Sequence, residues 1–163
     1  MNLRALGRHF APIVLAAGIV ACGGPPPTPL PETTPASVEP SGASVCGLVA
    51  DMDALVGRSA VAAPSSYTVG SSERCLWVYL ADPSRYVGLT LGEPASHAAT
   101  IQSFGDGQVV DGIGDEARWW DANRTLSVLD GERALQVDLQ LDDAADPKAL
   151  AVSIAQAALG QLP

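Results

Sequence analysis

The sequence predicts an α+β domain: a largely antiparallel sheet of about five strands, packed with two or three helices and closed by one disulfide. Three observations lead there. Apolar residues recur at helical spacing in three short windows and at alternating spacing in several others. The strand windows follow one another more often than they alternate with helices, which favours antiparallel pairing over βαβ units. Two of them flank an Asp-Gly dipeptide, the signal of a tight hairpin.

The residues before the domain read as an address. Met1 to His9 carry Arg4 and Arg8 and no acid, Phe10 to Val20 are apolar, and Ile19-Val20-Ala21-Cys22 closes the run. A basic start, a short apolar core and small residues before a cleavage point describe a secretory signal, here residues 1–21. The run is too short to span a bilayer, which takes about 20 residues, and Pro12 interrupts it. The four residues ending at Cys22 resemble a bacterial lipobox. That resemblance implies cleavage before Cys22, a diacylglyceryl thioether on its sulfur and acylation of the new amino group. One chain holds a protein only marginally on a membrane, whereas two or more hold it stably. The expected location is the extracytoplasmic face of the cell membrane, reached through the lipid on Cys22.

Residues 22–44 read as a tether. Gly23 to Ser44 hold seven of the 13 prolines, with scattered Thr and Ser and almost no bulky apolar side chain. Such a segment buries too little surface to offset chain entropy. In polyproline geometry it reaches at most roughly 70 Å. Thr28, Thr33 and Thr34 sit near prolines and are candidate O-glycosylation sites on composition alone.

The predicted domain, 45–163, opens with a helix. Ser44 caps it, Val45, Leu48, Val49, Met52, Leu55 and Val56 share one face, and Gly57 ends it. Tyr67 to Val69 suit a short strand. Cys75 to Leu80 are apolar on both faces, as in a central strand. Asp82-Pro83-Ser84 turns the chain into a strand with Val87, Leu89 and Leu91 on one side. Pro94 opens an Ala-rich helix carrying Ile101 and Phe104, which stops at Gly105. A glycine-rich loop runs from Gly105 to Gly114, and Glu116 to Trp120 form a strand. Arg124 to Leu129 and Arg133 to Leu141 then pair around Asp130-Gly131. In the last strand Leu135, Val137, Leu139 and Leu141 face one way and Gln136, Asp138 and Gln140 the other, which predicts a wet face there. Asp146-Pro147 cap a final helix through Leu159, with Leu150, Ile154 and Ala158 in register.

Charge excludes one class of partner. The chain has 9 basic against 18 acidic side chains, a formal −9, so nucleic acid is not expected. Cleavage before Cys22 removes Arg4 and Arg8 and leaves 7 against 18, a formal −11. An acidic body is repelled by anionic lipid, so attachment rests on the acyl chains.

With Cys22 assigned to lipid, Cys46 and Cys75 remain, and outside the cytoplasm they can pair in only one way. The alternative is a redox pair, but no C-x-x-C motif and no local base accompany them. Val45-Cys46-Gly47-Leu48, Cys75-Leu76-Trp77, Val110-Asp111-Gly112-Ile113-Gly114-Asp115-Glu116-Ala117, the Gly-centred hairpin and the Ala-rich last helix resemble a family of small actinobacterial lipoproteins of unknown function. The resemblance covers Val45 to Leu162. More faintly, the pattern is similar to extracellular sensor domains of mycobacterial receptor Ser/Thr kinases, which use further disulfides. The resemblance implies a surface-anchored envelope protein and carries over no catalytic residue.

No residue set predicts catalysis. His97 is the one histidine after the signal segment, no G-x-S-x-G elbow accompanies it, and it reads as a surface or half-buried helix residue. Asp51/Asp53, Asp111/Asp115/Glu116 and Asp142/Asp143/Asp146 offer oxygens, but none forms an EF-hand loop. Solvation and capping account for them, so no metal and no cofactor are expected. Neither Gly105-Asp106-Gly107 nor Gly112-Ile113-Gly114 is a phosphate loop. Trp119 and Trp120 are consecutive on a strand and must face opposite ways. One of them, with Arg118 beside it, is a candidate ligand surface unless a helix covers it. The expected function is therefore a non-catalytic binding or accessory module for a lipid, glycan, peptide or protein. The alternatives are a carboxylate-dependent hydrolase and a sensor domain acting with a membrane kinase or transporter.

Overall fold

The computed structural model describes residues 44–80 and 84–163, which belong to the compact unit Val38–Pro163. The signal segment, Cys22, the tether up to residue 43, and Asp82 and Pro83 of the predicted turn lie outside the described residues.

A 3-10 turn (Val45–Leu48) and the short helix α1 (Met52–Val56) precede strands β1 (Ser65–Val69), β2 (Ser72–Val78) and β3 (Tyr86–Gly92). Helix α2 (Pro94–Phe104) leads to β4 (Gln108–Val109), β5 (Glu116–Trp120), β6 (Thr125–Asp130) and β7 (Arg133–Leu139), and α3 (Pro147–Leu159) closes the chain. The strands form one antiparallel sheet in the order β1-β2-β3-β7-β6-β5-β4. Two meanders are thus joined by α2. The chain runs outward to inward through β1-β2-β3, crosses to the far edge, and returns through β4-β5-β6-β7 to lie beside β3.

The α+β class holds, with three α-helices among the described residues and the Cys46–Cys75 disulfide, but the sheet those residues form has seven strands rather than about five. The difference lies at the edges. β1 starts two residues earlier than its aromatic and β-branched core suggested. β4 is only two residues inside the glycine-rich loop, too short for alternation to reveal. β2, expected to be central, lies one strand in from the β1 edge; it is apolar because it bears on the core, and β7 occupies the middle.

The predicted first helix is broken in two. Ser44 caps the 3-10 turn as expected, but Val49 is extended (φ −122°, ψ 98°) and Asp51 starts α1 afresh by accepting from the Ala54 amide at 3.0 Å. The Glu73 carboxylate on β2 accepts from the Ser44 hydroxyl and the Val45 amide, both at 3.2 Å. With Cys46 tied to Cys75, the turn is held to the sheet at two points. The apolar rhythm survives the break, since Val45, Leu48, Val49 and Met52 are all buried.

Pairing fixes the two faces of the sheet. Cys75, Leu89, Val137, Leu126 and Trp119 lie in register across β2-β3-β7-β6-β5, and all are buried. Val45 and Leu48 of the 3-10 turn and Ala151, Ile154, Ala155 and Ala158 of α3 complete this apolar side. The opposite face carries Arg74, Thr90, Gln136, Ser127 and Arg118 in register, and α2 packs against its β6-β7 half. The expected wet face on β7 is therefore a covered one. Asp138 is only 7% exposed, because Arg74, Thr125 and Gln136 close around it.

The disulfide closes a 29-residue separation with a Cα–Cα distance of 5.2 Å. In the chain-entropy account a loop of that size contributes roughly 3–4 kcal/mol. The double variant C46A/C75A should lose about that much in a denaturant titration; a loss below ~1 kcal/mol would show that the packing of the 3-10 turn holds it without the bond.

Candidate functional site

The polar face under α2 is built from side chains that pair with one another. Pro94 starts α2 at its first turn, where a missing N–H costs nothing, and Gly105 (φ +82°) ends it. The helix presents His97, its only fully buried residue, at 3% exposure. Its Nδ1 lies 2.8 Å from the Ser127 hydroxyl on β6, and its Nε2 lies 3.9 Å from a Glu116 carboxylate oxygen on β5 without a hydrogen bond. The other Glu116 oxygen accepts from Arg118 Nε at 2.9 Å. One turn along α2, the Thr100 hydroxyl donates to Gln136 Oε1 at 3.1 Å. Gln136 and Thr125 donate to Asp138, each at 2.9 Å, and Arg74 forms an ion pair with it at 3.0 Å. Three partners thus converge on this buried carboxylate, which satisfies its oxygens away from water.

The expectation for His97 is corrected by this arrangement: it is neither at the surface nor half-buried. Burial holds its imidazole below the ordinary value, Glu116 opposes that effect, and Arg118 adds to it. Sequence spacing gave no hint of its partner, because Ser127 lies 30 residues away on another element. Ser127 is itself 1% exposed in mid-strand, so this serine–imidazole contact has no opening through which a substrate could reach it.

The candidate ligand surface Arg118, Trp119 and Trp120 is also corrected. Trp119 is fully buried on the apolar face and donates its indole N–H to the Asp121 carboxylate. Trp120, on the opposite face, is 6% exposed. Its Nε1 donates to the Gly105 carbonyl at 3.0 Å, and its ring meets Phe104 edge-on at 5.7 Å between centroids. The end of α2 is thus what covers the second indole. Arg118 turns aside, giving one bond to Glu116 and another to the Asp106 carbonyl at 3.1 Å.

The acidic groups are mostly occupied by local structure. Asp146 caps α3 through the Ala149 amide at 2.9 Å, and Asp115 accepts from the Gly131 amide of the β6-β7 turn at 2.8 Å. Asp142 pairs with Arg85 and Arg124, and Asp143 pairs with Arg58 at 2.8 Å; that bond holds the Asp143 carboxyl below its usual range. Among the described residues, no group of three or more His, Cys, Asp or Glu side chains is placed to hold a metal ion.

Concavity lies elsewhere, beside the disulfide. A cavity of about 430 Å³ is lined by Cys46, the Val49–Asp53 turn, Ala60, Ala62, Ala63, Pro64 and Trp77. It falls within the size range of small-molecule sites. Asp53 shapes its wall: one carboxylate oxygen accepts from the Ala60 amide and from the Tyr79 hydroxyl, both at 3.1 Å. Burial first, and Asp53 second, push the Tyr79 phenol well above its ordinary value, so it stays a donor. A second groove of about 340 Å³, between α1 and α3, shares Val49, Ala50 and Asp51 with the first. The lining of the first cavity exposes more polar than apolar surface, although small aliphatic side chains and Trp77 contribute to it. Cys46, Asp51, Asp53 and Trp77 stand out in the sequence by residue type, whereas Ala60, Ala62, Ala63 and Pro64 have no periodicity to mark them as a wall. No family model, curated protein or solved structure matches the chain.

Packing at Trp120 sets a test. Gly107 has φ +54°, and a Cβ there would come within 2.7 Å of the Trp120 ring. Gly107→Ala should therefore destabilise the domain by about 2 kcal/mol, from backbone strain and overpacking together. Native emission should be blue-shifted and poorly quenched by iodide in the parent, and red-shifted in the variant. Strong quenching of the parent would contradict the burial of all three tryptophans.

Proposed function

We propose that this chain is a lipid-anchored, extracytoplasmic lipoprotein of the cell envelope, and that its folded unit is a non-catalytic binding or accessory module. The observation that carries the reading is how the cysteines divide. Two of the three close the Cys46–Cys75 disulfide, a bond that persists in oxidising compartments. The third, Cys22, stands at the end of the apolar run in a lipobox-like tetrapeptide. Among the described residues, no helix is long and apolar enough to cross a membrane. The proposed attachment is through acyl chains on Cys22.

Membership of the small actinobacterial lipoprotein family is part of this proposal and rests on the motifs around Cys46, Cys75 and Gly112–Ala117. The binding role is assigned to the cavity beside the disulfide, which combines a wall of small side chains with Trp77, Met52 and the Asp53 carboxylate. A ligand there would be a lipid, glycan or peptide group small enough for a shallow site. The serine–imidazole contact, sealed beneath α2, favours binding over hydrolysis.

Cys22→Ser should move the protein from the membrane fraction to the soluble extracytoplasmic fraction and abolish the added mass of the diacylglyceryl and acyl groups. Retention on the membrane with unchanged mass would overturn the anchor. Native mass spectrometry of the detergent-extracted parent should show a copurifying small molecule that Ala62→Trp, placed in the cavity wall, removes. Turnover lost on changing one carboxylate would instead establish a hydrolase.

A further inference from the structure

Helix α2 is held to the sheet in an unusual way for a covering helix. From Pro94 to Phe104 it has no charged side chain, and its one fully buried residue is an imidazole rather than an aliphatic group. The groups facing that imidazole are few. From β6 comes the Ser127 hydroxyl; from β5 come the Glu116 carboxylate at 3.9 Å and, beyond it, Arg118. From β7 the helix meets Gln136, which is uncharged. Glu93 precedes the helix as its N-cap residue and makes no side-chain cap bond.

The geometry selects a tautomer. With the proton on Nε2, that N–H points toward the Glu116 carboxylate, and Nδ1 accepts from the Ser127 hydroxyl. The opposite tautomer would set a bare nitrogen lone pair against a carboxylate. A second proton must therefore land on Nδ1, the atom that accepts from Ser127. It converts that acceptor into a donor and leaves the serine hydrogen without its acceptor. It also places a cation in a site 3% exposed, whose nearest carboxylate is out of hydrogen-bond reach and already engaged by Arg118 at 2.9 Å.

We propose that His97 is an acid-sensitive latch, and that protonating its ring releases α2 from the polar face of the sheet, uncovering Ser127, Gln136 and Trp120. The segment that moves is bounded by Gly92 and the Gly105–Gly114 loop, while α3 and the 3-10 turn stay on the opposite, apolar face. Burial holds the folded imidazole below its ordinary value of 6.5, so the released form binds a proton that the latched form excludes. The latch is thus fully closed above that pH. It weakens as pH falls from there toward the lowered folded value, by about tenfold in the opening equilibrium per pH unit.

The test is hydrogen–deuterium exchange of the full chain between pH 7.5 and 4.5, with α2 amides compared with α3 amides in the same sample. After correction for intrinsic rates, α2 exchange should rise by up to ~10-fold per pH unit below about 6.5, with α3 unchanged. In His97→Gln the amide oxygen can still accept from Ser127, and the pH-dependent rise in α2 should vanish. If that variant does not fold, Glu116→Gln decides: loss of the opposing carboxylate lowers the folded imidazole further, so α2 opening should grow relative to the parent at the acid end of the range, where the parent's rise has begun to level off. Equal protection of α2 and α3 throughout, with the imidazole titrating by NMR at or above its ordinary value, would mean that Glu116 neutralises the ring in place. That outcome overturns the latch, as does an α2 response that persists in His97→Gln or does not grow in Glu116→Gln.

Discussion

Everything in this fold hangs on one row of apolar side chains. Cys75, Leu89, Val137, Leu126 and Trp119 lie side by side across five strands, and no member of the row is exposed to solvent. Because strand side chains alternate, burying this row fixes the register of those five strands, and a slip of one residue in any of them would turn its member outward. The 3-10 turn and α3 exist to cover it. The turn is short and poor in intrinsic helix stability, and it is held there by the disulfide and by Glu73 rather than by its own hydrogen bonds.

The same register dictates the character of the opposite face. Once Val137 and Leu139 point into the core, Asp138 must point away from it, and so must Gln136, Ser127 and Thr125. The crossover from β3 to the far edge then lays α2 across these residues. A helix over polar side chains gains little from hydrophobic transfer, so it is held by directed bonds: His97 to Ser127, Thr100 to Gln136, and Trp120 to the Gly105 carbonyl. Of these three bonds only His97–Ser127 includes a titratable group, and it is through that one contact that the proposed latch would make this face acid-sensitive.

Legibility in the sequence followed the range of the interactions. The caps at Ser44 and Asp146, the left-handed Gly57, the Pro94 start of α2 and the β6-β7 hairpin are all local, and each was read from a few adjacent residues. The hairpin turn itself centres one residue later than the Asp-Gly signal, since Asp130 pairs with Arg133. The break at Val49 was not legible in the periodicity, because apolar spacing continues through it; the one local signal is Asp51, which by type favours an N-cap over a helix interior. The edge strand β4 escaped for want of length.

By itself the sequence determined the α+β class, most strand and helix windows, the order of the core positions, and a pairing of cysteines that left Cys22 alone. These follow from periodicity and from counting, which need no knowledge of what lies nearby in space. Only the tertiary structure decided which face each residue shared with which. It placed both tryptophans inside, gave His97 a partner 30 residues away, and formed a cavity from the Ala60–Pro64 wall against Trp77. The reason is physical: alternation says that two neighbours face opposite ways, but what covers each face is set by a crossover many residues distant. A strand cannot announce its helix.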